Sequence, residues 1–335
     1  MIDRVSVIIP CFNRSKYLHE WLDSIAKQTY SNIEIIVVDD ASTEDLKSVV
    51  DNVKWPDSYT IQFIRLGENR GPGYAREMGR QHATGLYINY QDSDDIFHPE
   101  KIALQVAFLK QNPKAGMCYC ITLNFTSFPF DGTERLRGSH YIASFLPGVI
   151  EKRPWATGSC LWTREATDII GPWFDGRGNE DLIYDIHAGC KNIQLIYFPQ
   201  ILMYVRNHSG DADVRAPSIK KYQIAIIAYH EMLNVLSESG KLSNLCTLVA
   251  ITDEIFRVCR KLFDYQVTDD AISILHHLIL VGRSKSRIQC LYLLIAKFIL
   301  FSRLIIVKRY QSKLFSKMCH FGMIIGNLHS HKTQD

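Results

Sequence analysis

Several short polar clusters each follow an apolar run, and each could act on an anionic ligand. Asp92-Ser93-Asp94 sets two carboxylates one residue apart in a bend. There they can aim hard oxygen atoms at one divalent cation, Mn²⁺ or Mg²⁺, that also takes oxygens from a diphosphate. Asp94 would be the direct ligand; the ordinary alternative is a solvated turn. At Asp39-Asp40, Asp40 could accept a hydrogen bond from a base N–H or a ribose hydroxyl, or simply stand at the start of a helix, where carboxylates suit the dipole. Asn69-Arg70-Gly71-Pro72-Gly73 opens a helix bearing Arg76, and a helix N-terminus reached through glycines favours an anion. Gly178-Asn179-Glu180-Asp181 opens another. A carboxylate there caps a helix by default, but Asp181 could instead take a proton from a hydroxyl within hydrogen-bond reach. Tyr204-Val205-Arg206-Asn207-His208 ends an apolar strand, and His208 could complete a metal shell or meet a diphosphate.

These clusters need a scaffold that brings them to one edge. The first 125 residues alternate short β-branched runs with helical patterns, the mark of an α/β fold with a mostly parallel sheet flanked by helices. Strands are expected at Val5 to Ile9, Ile33 to Val38, Ile61 to Leu66 and Leu86 to Tyr90, with helix over 15–28 and Ser42 as the N-cap of the next helix. In such sheets ligands bind at the carboxyl ends of the strands, where Pro10-Cys11-Phe12-Asn13-Arg14, Asp39-Asp40 and Asp92-Ser93-Asp94 all fall. The dinucleotide fingerprint is absent after the first strand, which argues against a dehydrogenase. Residues 126–155, rich in Pro, Gly, Ser and aromatics, read as loops and irregular strands over the site, suited to binding an acceptor. Past residue 215 the pattern turns to long helices at 217–238, 241–264, 268–282 and 287–318, so a boundary is placed at 215/216.

The chain has 335 residues, 47% of them hydrophobic, which is enough for a full core and excludes disordered and fibrous classes. No long apolar leader follows Asp3 and Arg4, so the body is expected in the cytoplasm. Nine scattered cysteines read as reduced, buried thiols rather than as a metal knuckle. The net charge of +3 hides an asymmetry: from Arg283 onward lie ten Lys or Arg and one acid, leaving 28 basic against 34 acidic residues, a net −6, in residues 1–282.

The set, in its order, resembles the family 2 nucleotide-sugar glycosyltransferases of GT-A fold. The matching pieces are Val5-Ser-Val-Ile-Ile-Pro-Cys-Phe-Asn13, Val37-Val-Asp-Asp-Ala-Ser42, Asn69-Arg-Gly-Pro-Gly-Tyr-Ala-Arg76, Ala83 through Asp95 with Pro99, Asn179-Glu-Asp181 and Tyr204-Val-Arg-Asn-His208. The resemblance implies that Pro10, Phe12 and Asp40 hold the nucleoside, and that Asn69 and Arg76 help to fix the base or donor. It places Asp92 and Ser93 on the donor, Asp92 at the ribose or the metal through water. Asp94 and His208 fall to the Mn²⁺ or Mg²⁺ site, Asp181 to the catalytic base, and Glu180 and Trp155 to acceptor-side or supporting positions. It implies inverting transfer of one sugar from a nucleotide sugar, UDP-linked on family grounds, to a saccharide or lipid-linked saccharide in cell-surface polysaccharide synthesis. Two departures stand out. The usual Asp-Asp-Gly-Ser is Asp39-Asp-Ala-Ser42, expected to be harmless if residue 41 keeps a negative φ, and the Gln-x-x-Arg-Trp motif of processive synthases is absent.

The alternatives are a nucleotide-sugar-binding scaffold without turnover and a sugar nucleotidyltransferase. The latter needs a basic phosphate loop after the first strand, which Pro10-Cys11-Phe12-Asn13 does not supply. Residues 291–307 form an apolar run interrupted by Lys297 and Arg303. It admits a spanning helix, a helix packed on the catalytic domain, or, with the basic residues over 283–318, a peripheral helix on the anionic inner face of a membrane. No aromatic-interleaved basic motif points to nucleic acid.

Overall fold

The computed structural model describes residues 2–126, 135–136, 140–207, 219–265 and 268–281. Strands β1 (Val5–Cys11) and β2 (Ile33–Asp39) are buried along their whole length, as expected of central strands covered on both faces. With β3 (Thr60–Arg65) and β4 (Tyr87–Tyr90) they form a parallel block in the order β3-β2-β1-β4. Helices α1 (Ser15–Ala26), α2 (Leu46–Asp51) and α3 (Pro72–His82) make the connections. Of the face that the spacing marks out, Tyr17, Leu18, Trp21, Leu22 and Ile25, all but the partly covered Tyr17 are buried in α1. The second helix starts later than expected. Its N-cap is Asp45, whose side chain accepts from Ser48 N at 3.1 Å, while Ser42 is tied into the preceding loop by its own N–H to Asp39 Oδ1 at 2.8 Å. A carboxylate at the true N-cap outcompetes a hydroxyl three residues upstream.

Beyond β4 the sheet becomes mixed. β8 (Cys160–Thr163) runs antiparallel to β4, β6 (Met117–Phe125) antiparallel to β8, and β9 (Leu195–Arg206) parallel to β6 with register shifts on either side of Ile121. The short β5 (Ile96–Phe97) closes the edge antiparallel to β9, and β7 (Arg135–Leu136) pairs with β6. Around this half lie α4 (Lys101–Gln111), α5 (Gly148–Lys152), a 3₁₀ turn at Thr157–Ser159, α6 (Arg164–Ile170) and α7 (Glu180–Cys190). Of the segment expected to be loops and irregular strands, the described parts are Thr126, β7, and residues 140–155 with the short α5.

The chain forms two compact units, Met1–Glu254 and Ile255–Asp335. The first includes α8 (Ile219–Glu238), which packs on α7. The second starts within α9 (Leu245–Asp264) and contains α10 (Thr268–Val281). The expected 215/216 boundary, His208 and the basic run 283–318 lie outside the described residues. Among the described residues no helix is long and apolar enough to cross a membrane. All seven cysteines in the described part are free thiols, and five are buried; Cys190 is partly covered and Cys246 is exposed, against the expectation of uniform burial.

Candidate functional site

The carboxyl ends of β1 and β2 are laced together by backbone geometry. Asn13 adopts a left-handed φ of 49°, which turns its N–H onto Ser42 Oγ at 3.0 Å and its side-chain oxygen onto Thr43 N at 2.8 Å. Ala41 is also left-handed, with φ 60°. The condition for the departure to be harmless, a negative φ, is therefore not met: the turn geometry that usually calls for glycine is kept here by an alanine, at a steric cost of about 1–2 kcal/mol. Asp39 is fully buried and accepts from Ser42 N and from Arg65 Nη1 at 3.0 Å.

Asp40, 3% exposed, spends both oxygens on the chain. Oδ1 accepts from Arg70 N at 2.9 Å and Oδ2 from Gly71 N at 2.8 Å, while Asn69 Nδ2 donates to its carbonyl at 3.2 Å. The carboxylate thus anchors the loop that opens α3. That loop is also tied to the segment before α7. Arg177 donates to Asn69 O at 2.9 Å and to Asn69 Oδ1, and Arg70, stacked over Tyr74, pairs with Asp175. A Cβ on Gly73 would lie 2.3 Å from Phe174 O, so only glycine permits this approach. Phe12 projects from the end of β1 with 43% of its surface exposed. Pro10 is buried within β1 opposite Val38.

After β4, Asp92 and Asp94 are partly exposed while Ser93 is buried near the Cys11 thiol, which burial pushes well up. The loop is held from the far edge of the sheet. Pairing of β5 with β9 brings up Arg206, which donates its N–H to Asp95 Oδ1 and its Nε to Asp94 O, both at 3.0 Å, and pairs with Glu20. The Asp94 side chain is 22% exposed, with Arg14 Nη1 3.8 Å from its Oδ2. Asp92, 40% exposed, accepts from Arg76 Nη2 at 2.7 Å. Among the described residues no three His, Cys, Asp or Glu side chains converge as a ready metal cage. The oxygen donors present still suit a cation such as Mg²⁺, which takes one or two carboxylates and leaves its other positions to phosphate and water.

Arg76 is an internal tie. It is 3% exposed, lies over Trp173 at 4.8 Å, and reaches Glu180 Oε1 with Nη1 at 3.3 Å as well as Asp92. One guanidinium therefore joins the Asp92 loop to the start of α7. Two consecutive left-handed residues, Gly178 and Asn179, turn the chain into that helix. Glu180 has its pKa raised by burial, against the pull of Arg76. For Asp181 burial acts upward too, but Arg153 and Arg76 outweigh it and hold the carboxyl below its usual range. The Asp181 side chain is 33% exposed; its Oδ1 accepts from Leu182 N at 2.8 Å and its Oδ2 faces Arg153 Nη1 at 2.9 Å. Trp155 is 4% exposed, with its indole N–H given to Asp185 Oδ2 at 3.0 Å, so it braces α7 at Asp185.

Asn69 is thus joined to Asp40, Arg76 joins Asp92 to Glu180, and Asp181 next to Glu180 is held by Arg153. Arg153 was not singled out from the sequence, and Arg206 only as a member of the Tyr204–His208 cluster with no role of its own, because their partners lie 28 and 186 positions away. The one local signal was the four-residue spacing of Asp181 and Asp185 on a helix.

The family model for Glycosyl transferase family 2 matches residues 6–173. An uncharacterised glycosyltransferase of Rickettsia felis is 39% identical over 109 residues, 32% of this chain and 18% of that protein. Glycosyltransferase GlyG of Streptococcus pneumoniae serotype 4 is 41% identical over 96 residues, 29% of this chain and 32% of the relative. The matched stretch thus spans well under half of each of these relatives. Among solved structures, S. aureus TarS 1–349 in complex with UDP-GlcNAc aligns with 81% of this chain and 90% of its own at TM-score 0.56 and 18% identity. Mannosyltransferase PcManGT from Pyrobaculum calidifontis, in complex with GDP-Man and Mn²⁺, aligns with 90% and 88% at TM-score 0.52 and 18% identity. These two share the fold, a GT-A arrangement.

Proposed function

This chain belongs to glycosyl transferase family 2, and on that premise we propose that it moves a single sugar from a nucleotide-sugar donor, UDP-linked, to a hydroxyl of a saccharide or lipid-linked saccharide with inversion at the anomeric carbon. The observation that carries this reading is the Asp92–Arg76–Glu180 bridge, which ties the Asp-x-Asp loop to the helix start that bears Asp181.

In the reaction Phe12 stacks on the nucleoside base, and the Asp40-anchored loop 69–71 frames the donor. Asp94, with His208 as a further candidate outside the described residues, would hold a divalent cation, whose chemistry is to offset negative charge on the departing nucleoside diphosphate. Asp181 takes the proton from the acceptor hydroxyl as its oxygen attacks the anomeric carbon from the face opposite the diphosphate. Asp181 suits this role because it alone among the arginine-held carboxylates of α7 is substantially open: its side chain is 33% exposed, against 13% for Glu180 and 1% for Asp185. The absence of the Gln-x-x-Arg-Trp motif supports one addition per encounter.

The reading is tested with a panel of nucleotide sugars and Mn²⁺ or Mg²⁺, scored by thermal shift and by product. A stabilising donor raises the apparent Tm by mass action, and transfer releases nucleoside diphosphate. Release of pyrophosphate instead would make the protein a nucleotidyltransferase. The basic residues over 283–318 support work at an anionic membrane surface. Flotation of the full chain with phosphatidylglycerol vesicles but not phosphatidylcholine vesicles, lost at high salt, is the expected result.

A further inference from the structure

Helix α7 begins with two carboxylates and carries a third one turn later, and arginines from two other elements hold them. Glu180 meets Arg76 of α3. Asp181 Oδ2 meets Arg153 Nη1 at 2.9 Å, while Nε of the same guanidinium reaches Asp185 Oδ2 at 2.5 Å. The four-residue spacing puts Asp181 and Asp185 on one helix face, and Arg153, just after α5, spans the gap. Its Nη1 also donates to Trp155 O at 3.2 Å, and the Trp155 indole donates to the Asp185 oxygen that Arg153 holds. Asp185 is sealed and the Arg153 side chain is 18% exposed, so Asp181 is the open end of the array.

A base that takes the acceptor's proton becomes neutral. Were Asp181 the sole partner of Arg153, that proton would strand a largely buried guanidinium without a counter-ion, which is strongly unfavourable. Asp185 removes this penalty, because Arg153 keeps one carboxylate partner whatever the state of Asp181. We propose that Arg153 and Asp185 are positioning residues for sugar transfer: together they fix the Asp181 carboxylate at the helix start and keep the guanidinium compensated when Asp181 takes the acceptor's proton. This rests on the reading of Asp181 as the base. In that step the acceptor oxygen bonds to the anomeric carbon, the bond from that carbon to the diphosphate oxygen breaks with its electron pair, and the proton passes to Asp181. Arg153 and Asp185 exchange no atoms.

The surroundings leave few other groups to set the charge of Asp181. Arg76 faces it from α3, and Glu180 stands beside it. Cys160 of β8, buried, lies in the field of Arg153 and Asp185. Glu151 and Lys152 of α5 are exposed. On α6, Arg164 donates to the carbonyls of Ala83 and Gly85, Asp168 pairs with Arg80, and Glu165 lines an open groove beside Leu86. From α8, Ile224 abuts Gly178 while Val235 and Ser239 meet Cys190, all uncharged. Burial pushes Asp185 up to about 6, with Arg153 opposing the rise, in keeping with a carboxylate kept for the arginine rather than for solvent.

The test is a titration of the full chain labelled with ¹³C at the aspartate carboxyl carbons, with Asp181 and Asp185 assigned by the signals lost in Asp181→Asn and Asp185→Asn. Removing the cation in Arg153→Gln should raise the Asp181 midpoint by about one pH unit or more. Asp185→Asn, which leaves the whole guanidinium to Asp181, should lower it. Opposite movements are not produced by loosened packing alone. Midpoints that stay in place, or that move the same way in both variants, overturn the proposal, and should one variant not fold, the direction in the other decides. Release of nucleoside diphosphate from UDP-N-acetylglucosamine or GDP-mannose with Mn²⁺ is followed in parallel. Wild-type turnover by Asp181→Asn would sink the base reading while leaving the titration result to stand by itself.

Discussion

The two sides of the site hold their carboxylates by different means. On the β1–β2 side, both oxygens of Asp40 are capped by the backbone N–H groups of Arg70 and Gly71, and Asp39 shares the Ser42 N–H with the Arg65 guanidinium. On the α7 side, Glu180, Asp181 and Asp185 are met by arginine side chains from α3 and from the segment after α5. Backbone donors cannot rearrange without moving the loop, so the first side presents a fixed mould. A guanidinium shared between two carboxylates can shift its weight as one of them gains a proton, so the second side can follow a reaction. On the proposed reading, the contrast separates a surface that would shape the donor from one that would manage a proton.

The comparison is sharpest where it predicts loss of chemistry without loss of binding. Asp181→Asn should lower turnover by roughly 10³-fold or more while donor affinity, read by calorimetry, stays near wild type. Retained turnover would move the base elsewhere. Asp94→Ala should weaken donor binding in Mn²⁺ by about 10- to 100-fold and leave metal-free binding little changed; unaltered affinity in Mn²⁺ would remove Asp94 from the cation site. Asp40→Ala tests the mould, since it strips the acceptors from two N–H groups at the start of α3. A stability loss of roughly 3 kcal/mol in urea denaturation is expected, with donor affinity falling alongside. A stability change within error would mean that the Asp40 carboxylate is there for ligand and not for the loop. The smallest effect is Ala41→Gly, which relieves a left-handed alanine and should add about 1 kcal/mol or less, because glycine also loosens the unfolded chain. Destabilisation would show that Ala41 is not strained.

Much of the fold was legible because its signals are local. The buried runs of β1 and β2, the apolar face of α1 and the turn residues after each strand all follow from neighbours within a few positions. The family pattern made Asp92, Asp94, Glu180 and Asp181 conspicuous for the same reason. The helix start at Asp45 was misplaced because two candidate caps lie three residues apart, and only the hydrogen bond to Ser48 chooses between them. The left-handed φ at Ala41 was not legible, because side-chain size disfavours that region while the lacing of Asn13, Asp39 and Ser42 accompanies it.

The amino-acid sequence by itself determined the residue types available for chemistry, the parallel block that lines them up and the family to which they belong, since each depends on short-range pattern. Which carboxylate is open and which is occupied was decided only by the tertiary structure. The answer depends on long-range partners: Arg76 across to Glu180, Arg153 to Asp181 and Asp185, and the 69–71 loop onto Asp40. A carboxylate's charge and reach are properties of what surrounds it, and those surroundings exist only once distant segments have packed together.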